Sequence, residues 1–227
     1  LHNPVAVIPW AVPDGWVGAE GNGSRFRRRF DLPEDKRLML FLSRIHPIKG
    51  IPRLLEALAR LPDLAGPWLL VIAGPDERDH LREVRRRVRD LGLEWAIRFP
   101  GPLYGEDKRD AFAAAELFIL PSESENFGIV VVEALGAGVP VLTTRGAPWA
   151  ELEPFGCGWH VDPTADAIAE ALRDALQRSP EDLAAMGRRG RPLVADRYTW
   201  SRVAAQTVAL YQWLLGRAKR PGFVTTD

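Results

Sequence analysis

The sequence predicts a doubly wound α/β fold, a parallel sheet with helices on both faces, followed by a helical tail. Three observations predict it. Apolar runs of strand length alternate with longer segments of helical period. The helical segments are long enough to serve as the crossovers that parallel strands require. After residue 179 the alternation stops, and two helical segments follow each other with no strand between them.

Residues 5–8 form the first apolar run. Residues 9–37 carry Pro9, Pro13, Gly15, Gly18, Gly21, Gly23 and Pro33 and are predicted to be a linker or surface segment, with the cations of residues 25–29 on a solvated face. Asn22-Gly23-Ser24 reads as a turn. A strand over 38–42 and a helix over 49–61 make the first βα step. A strand over 68–73 then leads to a helix over 76–91, in which Leu81, Val84, Val88 and Leu91 recur every three or four residues. Further strands are predicted over 97–99, 117–120, 139–142 and 158–161, with helices over 107–115, 128–137 and 164–178. Residues 129–132 are β-branched and locally favour a strand, but the alternation needs a crossover before 139–142, so a helix is expected there. Helices over 180–195 and 200–217 complete the tail. The predicted organisation is a linker and leading segment (1–37), a doubly wound domain (38–179) and a helical tail (180–227).

The bulk properties narrow the function classes. A chain of 227 residues that is 46% hydrophobic buries a sizeable core without a staple. Lys and Arg number 30 and Asp and Glu number 30, so nothing argues for a polyanionic partner, and nucleic acid is not expected. The single cysteine, Cys157, excludes an internal disulfide and a cysteine-rich zinc site, suits a reducing cytosol and reads as a small core residue. These residues hold no run of 18 apolar side chains and no charged start followed by an apolar stretch, so a cytoplasmic location is expected. The chain opens at Leu1 in what reads as running sequence, and it is expected to be part of a longer protein.

Two clusters carry chemistry. Ser122-Glu123-Ser124-Glu125-Asn126-Phe127-Gly128 follows the strand over 117–120 and runs into the helix over 128–137. Ligands of a doubly wound sheet bind at the carboxyl ends of its strands. Gly128 lets backbone approach a ligand there, and the amides of residues 128–131 are expected to form an anion site at the helix start. Glu125 then lies in the loop, and Glu133 about one and a half turns inside the helix. Two carboxylates on either side of an anion-binding turn suit a ligand with a phosphate in its middle and hydroxylated rings at both ends, which describes a nucleotide sugar. The second cluster is Ser43-Arg44-Ile45-His46-Pro47-Ile48-Lys49-Gly50. Arg44 as a fork and Lys49 as a point charge are placed at a strand end to neutralise a diphosphate, although each could instead cap a turn at the surface.

The span from Glu125 to Glu133, with Phe-Gly before the helix and Glu-Ala-x-x-x-Gly-x-Pro-Val after, resembles the paired-glutamate motif of retaining glycosyltransferases of family 4, which have the GT-B fold. Val7-Ile8-Pro9, Ala73-Gly74-Pro75-Asp76, Phe99-Pro100-Gly101 and Tyr198-Thr199-Trp200 extend the similarity over nearly the whole chain. It departs at Ser43, where the family usually has Gly, and at Trp10-Ala11, where many members have Asn-Gly. The resemblance implies the Rossmann-like donor half of a GT-B enzyme that transfers a hexosyl group from a UDP-, GDP- or ADP-sugar. It implies catalytic roles for Arg44, Lys49 and Glu125. The donor would be held by Ser43, Arg44, Lys49, Gly74, Tyr104, Glu125, Asn126, Phe127, Gly128, Ile129, Val130 and Glu133. Glu125 would contact sugar hydroxyls and Glu133 the ribose, while Leu103 and Tyr104 border the base.

The same resemblance implies no cofactor and no metal, and an amino-terminal acceptor-binding domain of the same protein as partner, through which peripheral membrane contact would run. Without that domain this chain is expected to transfer nothing. A GT-B relative acting as an epimerase, and a domain kept only for binding or assembly, are the alternatives. Other chemistries do not assemble: His2, His46, His80 and His160 show no metal-ligand spacing, and there is no Gly-x-Ser-x-Gly elbow, Walker loop, Asp-x-Asp or Gly-x-Gly-x-x-Gly fingerprint. His46 is expected to shape its loop and His160 to be a core or edge residue.

Overall fold

The computed structural model describes residues 3–62 and 66–225. A parallel sheet of six strands forms its centre, in the order β4-β3-β2-β5-β6-β7. Its strands are β2 (Arg37–Leu42), β3 (Trp68–Ala73), β4 (Ile97–Gly101), β5 (Leu117–Leu120), β6 (Val141–Thr144) and β7 (Gly158–Val161). All pairings within it are parallel. β3 and β5 are buried along their whole length, as strands covered on both faces must be.

The crossovers are α2 (Ile51–Ala59), α3 (His80–Asp90), α4 (Gly105–Ala114), α5 (Ile129–Ala137) and α6 (Ala165–Gln177). They fall into two layers: α2 packs against α3 and α6, and α4 packs against α5. Helix α5 holds the four β-branched residues, and Val131 and Val132 are fully buried. Packing overrides their local preference, because the chain must cross from β5 to β6 in parallel. The tail helices are α7 (Pro180–Arg197) and α8 (Trp200–Leu214); α7 lies across α5, and α8 buries only Val203.

Several expectations are corrected. The apolar run over 5–8 contributes only β1 (Val5–Ala6), which stays out of the parallel sheet and pairs antiparallel with β8 (Val224–Thr225). The predicted linker contains α1 (Gly23–Arg29), packed on α4 with Phe26 buried. Asn22 is the N-cap of that helix, its side chain accepting from the Arg25 amide at 2.9 Å. The cations of 25–29 are not simply a solvated face: Arg25 binds Asp110, Arg27 donates to the Pro33 carbonyl, and Arg29 pairs with Asp107. The helix expected from 76 begins at His80, because Asp76 still bridges to Ile45 and its carboxylate accepts from the Leu81 amide. The strand expected over 139–142 begins at Val141, since the Val139 amide closes the end of α5 on the Ala134 carbonyl and Pro140 has no N–H to donate. Pro100 lies inside β4, an edge strand, where the register shifts and a missing donor is tolerated.

Asp110 ties the leading segment to α4. Its carboxylate accepts from the Arg25 guanidinium at 2.5 and 3.0 Å and from the Asn22 amide at 2.7 Å. The Arg25 hydrogen bond holds the Asp110 carboxyl below its ordinary 3.8. A lowered native pKa means stability that is complete above 3.8 and is lost as pH falls through the native value. Asp110→Ala should cost about 2 kcal/mol near neutral pH, on the scale of hydrogen bonds to a charged group. Thermal melts of both proteins from pH 7 to pH 2 should show the difference narrowing at the acid end.

Candidate functional site

The strand order reverses between β2 and β5, and the loops that leave their carboxyl ends part to open a cleft of about 840 Å³. Ser43, Arg44 and Lys49 reach it from the segment after β2, and Gly74 from the end of β3. Leu103 and Tyr104 come from the turn after β4. Glu125, Asn126 and Phe127 come from the loop after β5, and Gly128, Ile129, Val130 and Glu133 from the start of α5. The structure thus brings all twelve residues singled out from the sequence to one cleft. Trp10, at the departure Trp10-Ala11, also lines it and is exposed.

Local hydrogen bonds fix the walls. The Glu123 amide donates to the Ile48 carbonyl at 2.8 Å, joining the β2 and β5 loops, and the Glu125 amide donates to Gly146 at 2.8 Å. His46 shapes its loop, its Nδ1 accepting from the Ile48 amide at 3.2 Å. The Trp149 indole donates to the Phe127 carbonyl at 2.6 Å, and Phe127, Trp149 and Tyr198 form a triangle of rings with centroids 5.2–5.7 Å apart. Gly74 has φ 146, and a Cβ there would lie 1.7 Å from the Ser43 carbonyl oxygen.

Each charged group in the cleft has a partner of opposite sign. Lys49 Nζ lies 2.5 Å from Glu125 Oε1, which also accepts from the Ser122 hydroxyl at 2.8 Å; Lys49 and Glu125 are both largely buried. Arg44 is exposed, with Nη1 2.6 Å from Glu77 Oε2. Glu133 Oε1 lies 2.5 Å from Lys108 Nζ. Burial raises the Glu133 carboxyl above its ordinary 4.5, and Lys108 pulls it back down. Glu133 Oε2 is buried and has no hydrogen-bond partner among the described residues.

The anion site at the start of α5 is smaller than the sequence suggests. Gly128 is left-handed, with φ 76, and its carbonyl accepts from the Val131 amide at 2.8 Å, which takes that amide out of the expected set of 128–131. Sequence reasoning also missed Lys108. The signal was there in helical period: Tyr104 is the N-cap of α4, and Lys108 follows it by four residues, on the same face.

The remaining candidates stay outside the cleft. His160 Nε2 lies 2.9 Å from the Ala147 carbonyl oxygen, and His80 is buried beside Glu83. Cys157 is buried, and desolvation pushes its thiol up to about 11. His2 lies outside the described residues. Among the described residues no three His, Cys, Asp or Glu side chains converge as metal ligands, and no helix is long and apolar enough to cross a membrane.

Known proteins are similar to this chain in sequence and fold. The family model described as glycosyl transferases group 1 matches residues 23–192. D-inositol 3-phosphate glycosyltransferase of Streptomyces avermitilis is 32% identical over 222 residues, covering 91% of this chain and 46% of that protein. The chain spans about half the length, or less, of the curated relatives it matches. Sucrose-phosphate synthase from Thermosynechococcus elongatus superposes with a TM-score of 0.79 at 26% identity, over 93% of this chain and 53% of that one. Anabaena HepE, solved in complex with UDP-glucose, has the same fold with a TM-score of 0.74 at 22% identity, over 91% of this chain and 56% of that one.

The contact between Gly74 and Ser43 gives the cleft floor a direct test. Gly74→Ala forces a Cβ onto the Ser43 carbonyl and moves the backbone that carries Arg44. A drop in melting temperature of several degrees is expected, on the scale of about 1–3 kcal/mol for strained backbone, measured by calorimetry.

Proposed function

The chain belongs to the glycosyl transferases group 1 family, and from that premise we propose that its cleft binds the nucleotide-sugar donor of a retaining hexosyl transfer. The observation that carries this reading is the set of groups brought together in one cleft. Glu133 suits a ribose hydroxyl. Arg44, Lys49 and the start of α5 suit a diphosphate. Glu125 and Asn126 suit sugar hydroxyls. UDP-glucose in HepE, which has this fold, supports the same ligand class.

In the proposed reaction the bond between the anomeric carbon and the diphosphate oxygen breaks, and the electron pair leaves with the diphosphate. An acceptor hydroxyl forms the new bond on the same face of the sugar and gives its proton to the departing diphosphate oxygen. Arg44 and Lys49 stabilise the charge that grows on the leaving diphosphate. Both are held by carboxylates within the chain, Arg44 by Glu77 and Lys49 by Glu125, so donor phosphates would exchange one anionic partner for another. Glu125 keeps its Ser122 hydrogen bond in that exchange and is free to accept from the sugar. The Rossmann-like domain and its tail supply one wall; the acceptor is assigned to a companion domain in the same protein.

Two measurements check this. Calorimetry with UDP, GDP and ADP should give the same affinity for the preferred nucleotide with and without a chelator, since fixed cations and helix amides carry the phosphate charge; a collapse on removing divalent metal would sink that role for Arg44 and Lys49. Glu133→Ala should weaken binding of the free nucleoside diphosphate by about 0.5–3 kcal/mol, the range for lost hydrogen bonds, while Glu125→Ala should weaken only the added contribution of the sugar. Equal losses from both substitutions with the bare diphosphate would refute the division of labour.

A further inference from the structure

Glu133 is held at two points by groups outside its own helix. The Trp16 indole donates to its backbone carbonyl at 2.8 Å, and Lys108 on α4 binds Oε1 at 2.5 Å. The two holding groups also meet each other, with the Lys108 ammonium 5.7 Å from the centre of a Trp16 ring. Lys108 thus holds one oxygen of the carboxylate, and the other, Oε2, is buried and has no hydrogen-bond partner among the described residues. Leaving a buried acceptor unpaired costs the chain its desolvation, and a donor hydroxyl arriving there recovers that cost.

We propose that Lys108 is a positioning residue for the nucleoside end of the cleft: by holding Oε1 of Glu133 it fixes this carboxylate for the ribose diol, so that the site selects ribonucleotides over their 2′-deoxy forms. The inference rests on the reading of the cleft as a nucleotide-sugar site. Lys108 is itself a cleft residue and touches Glu133 directly. Of the charges on the elements packed against α5, Arg191 on α7 donates to the Ala137 carbonyl at the end of the helix, and Asp110 on α4 binds Arg25. The charge that bears on the Glu133 carboxyl is that of Lys108, which opposes the upward push of burial.

The test uses Lys108→Met and Lys108→Gln, with Lys108→Arg as the conservative variant, each checked for a cooperative melt. In the chain without nucleotide, the titration of the Glu133 carboxyl carbon followed by NMR should move to higher pH in Lys108→Met and Lys108→Gln and return towards the original in Lys108→Arg. With whichever of UDP, GDP and ADP binds most tightly, Lys108→Met should lose about tenfold in affinity, and its preference for the ribonucleotide over the 2′-deoxy form should shrink. An unmoved Glu133 titration, or an unchanged preference in a folded Lys108→Met protein, overturns the proposal. If the original chain binds none of the three nucleotides, the nucleotide-sugar reading fails, and the carboxyl titration alone still decides whether Lys108 governs Glu133.

Discussion

The pairing of β2 with β5 is the constraint on which the cleft depends. These two strands, far apart in sequence, lie side by side with Met39 opposite Leu117 and Leu40 opposite Phe118. On either side of them the sheet is built outward in opposite directions, so the segments that follow β2 and β5 must diverge. The apolar strands supply the burial that holds this pairing, with Leu38, Met39, Leu40, Phe41 and the whole of β5 removed from solvent. The two segments stay tied at one point, where the Glu123 amide donates to the Ile48 carbonyl. Function in this chain is a consequence of sheet order before it is a consequence of any single side chain.

The electrostatics of the cleft follow from the same geometry. Bringing Arg44, Lys49 and Lys108 to one concave surface costs desolvation and mutual repulsion, and the chain offsets both by giving each a carboxylate: Glu77, Glu125 and Glu133. The three pairs differ in burial. The Arg44 pair is exposed and cheap to open, the Lys49 pair is buried and has Ser122 as a further hydrogen-bond partner, and the Lys108 pair leaves one carboxylate oxygen without a partner. Such pairing holds the three cations and three carboxylates in place with no net charge.

The segments outside the sheet bear on the cleft through contacts that cross long stretches of chain. Trp16, in the leading segment, reaches Glu133, and Asp110 anchors that segment through Arg25 and the Asn22 amide. From the tail, α7 lies across α5, and Tyr198 closes the ring triangle behind Phe127. Tyr198 also donates to Glu151 at 2.5 Å, and burial raises its hydroxyl pKa. The division into leading segment, domain and tail describes the order of the chain, while these contacts join the three parts around α5.

The sequence by itself determined the alternation of strands and helices, the helical tail, and the two clusters around Arg44 and Glu125, because hydrophobic period and turn chemistry are local and survive in one dimension. It determined α5 as a helix only through a global argument, since Ile129, Val130, Val131 and Val132 locally favour a strand. What the tertiary structure alone decided is how distant residues pair. That β1 leaves the sheet for β8, that Arg25 binds Asp110, that Gly128 consumes the Val131 amide, and that Lys108 holds Glu133 all depend on backbone positions set by packing. Charged side chains have no period that marks their partner, and the energy of each pair is too small and too dependent on burial to be assigned until the fold has brought the two groups together.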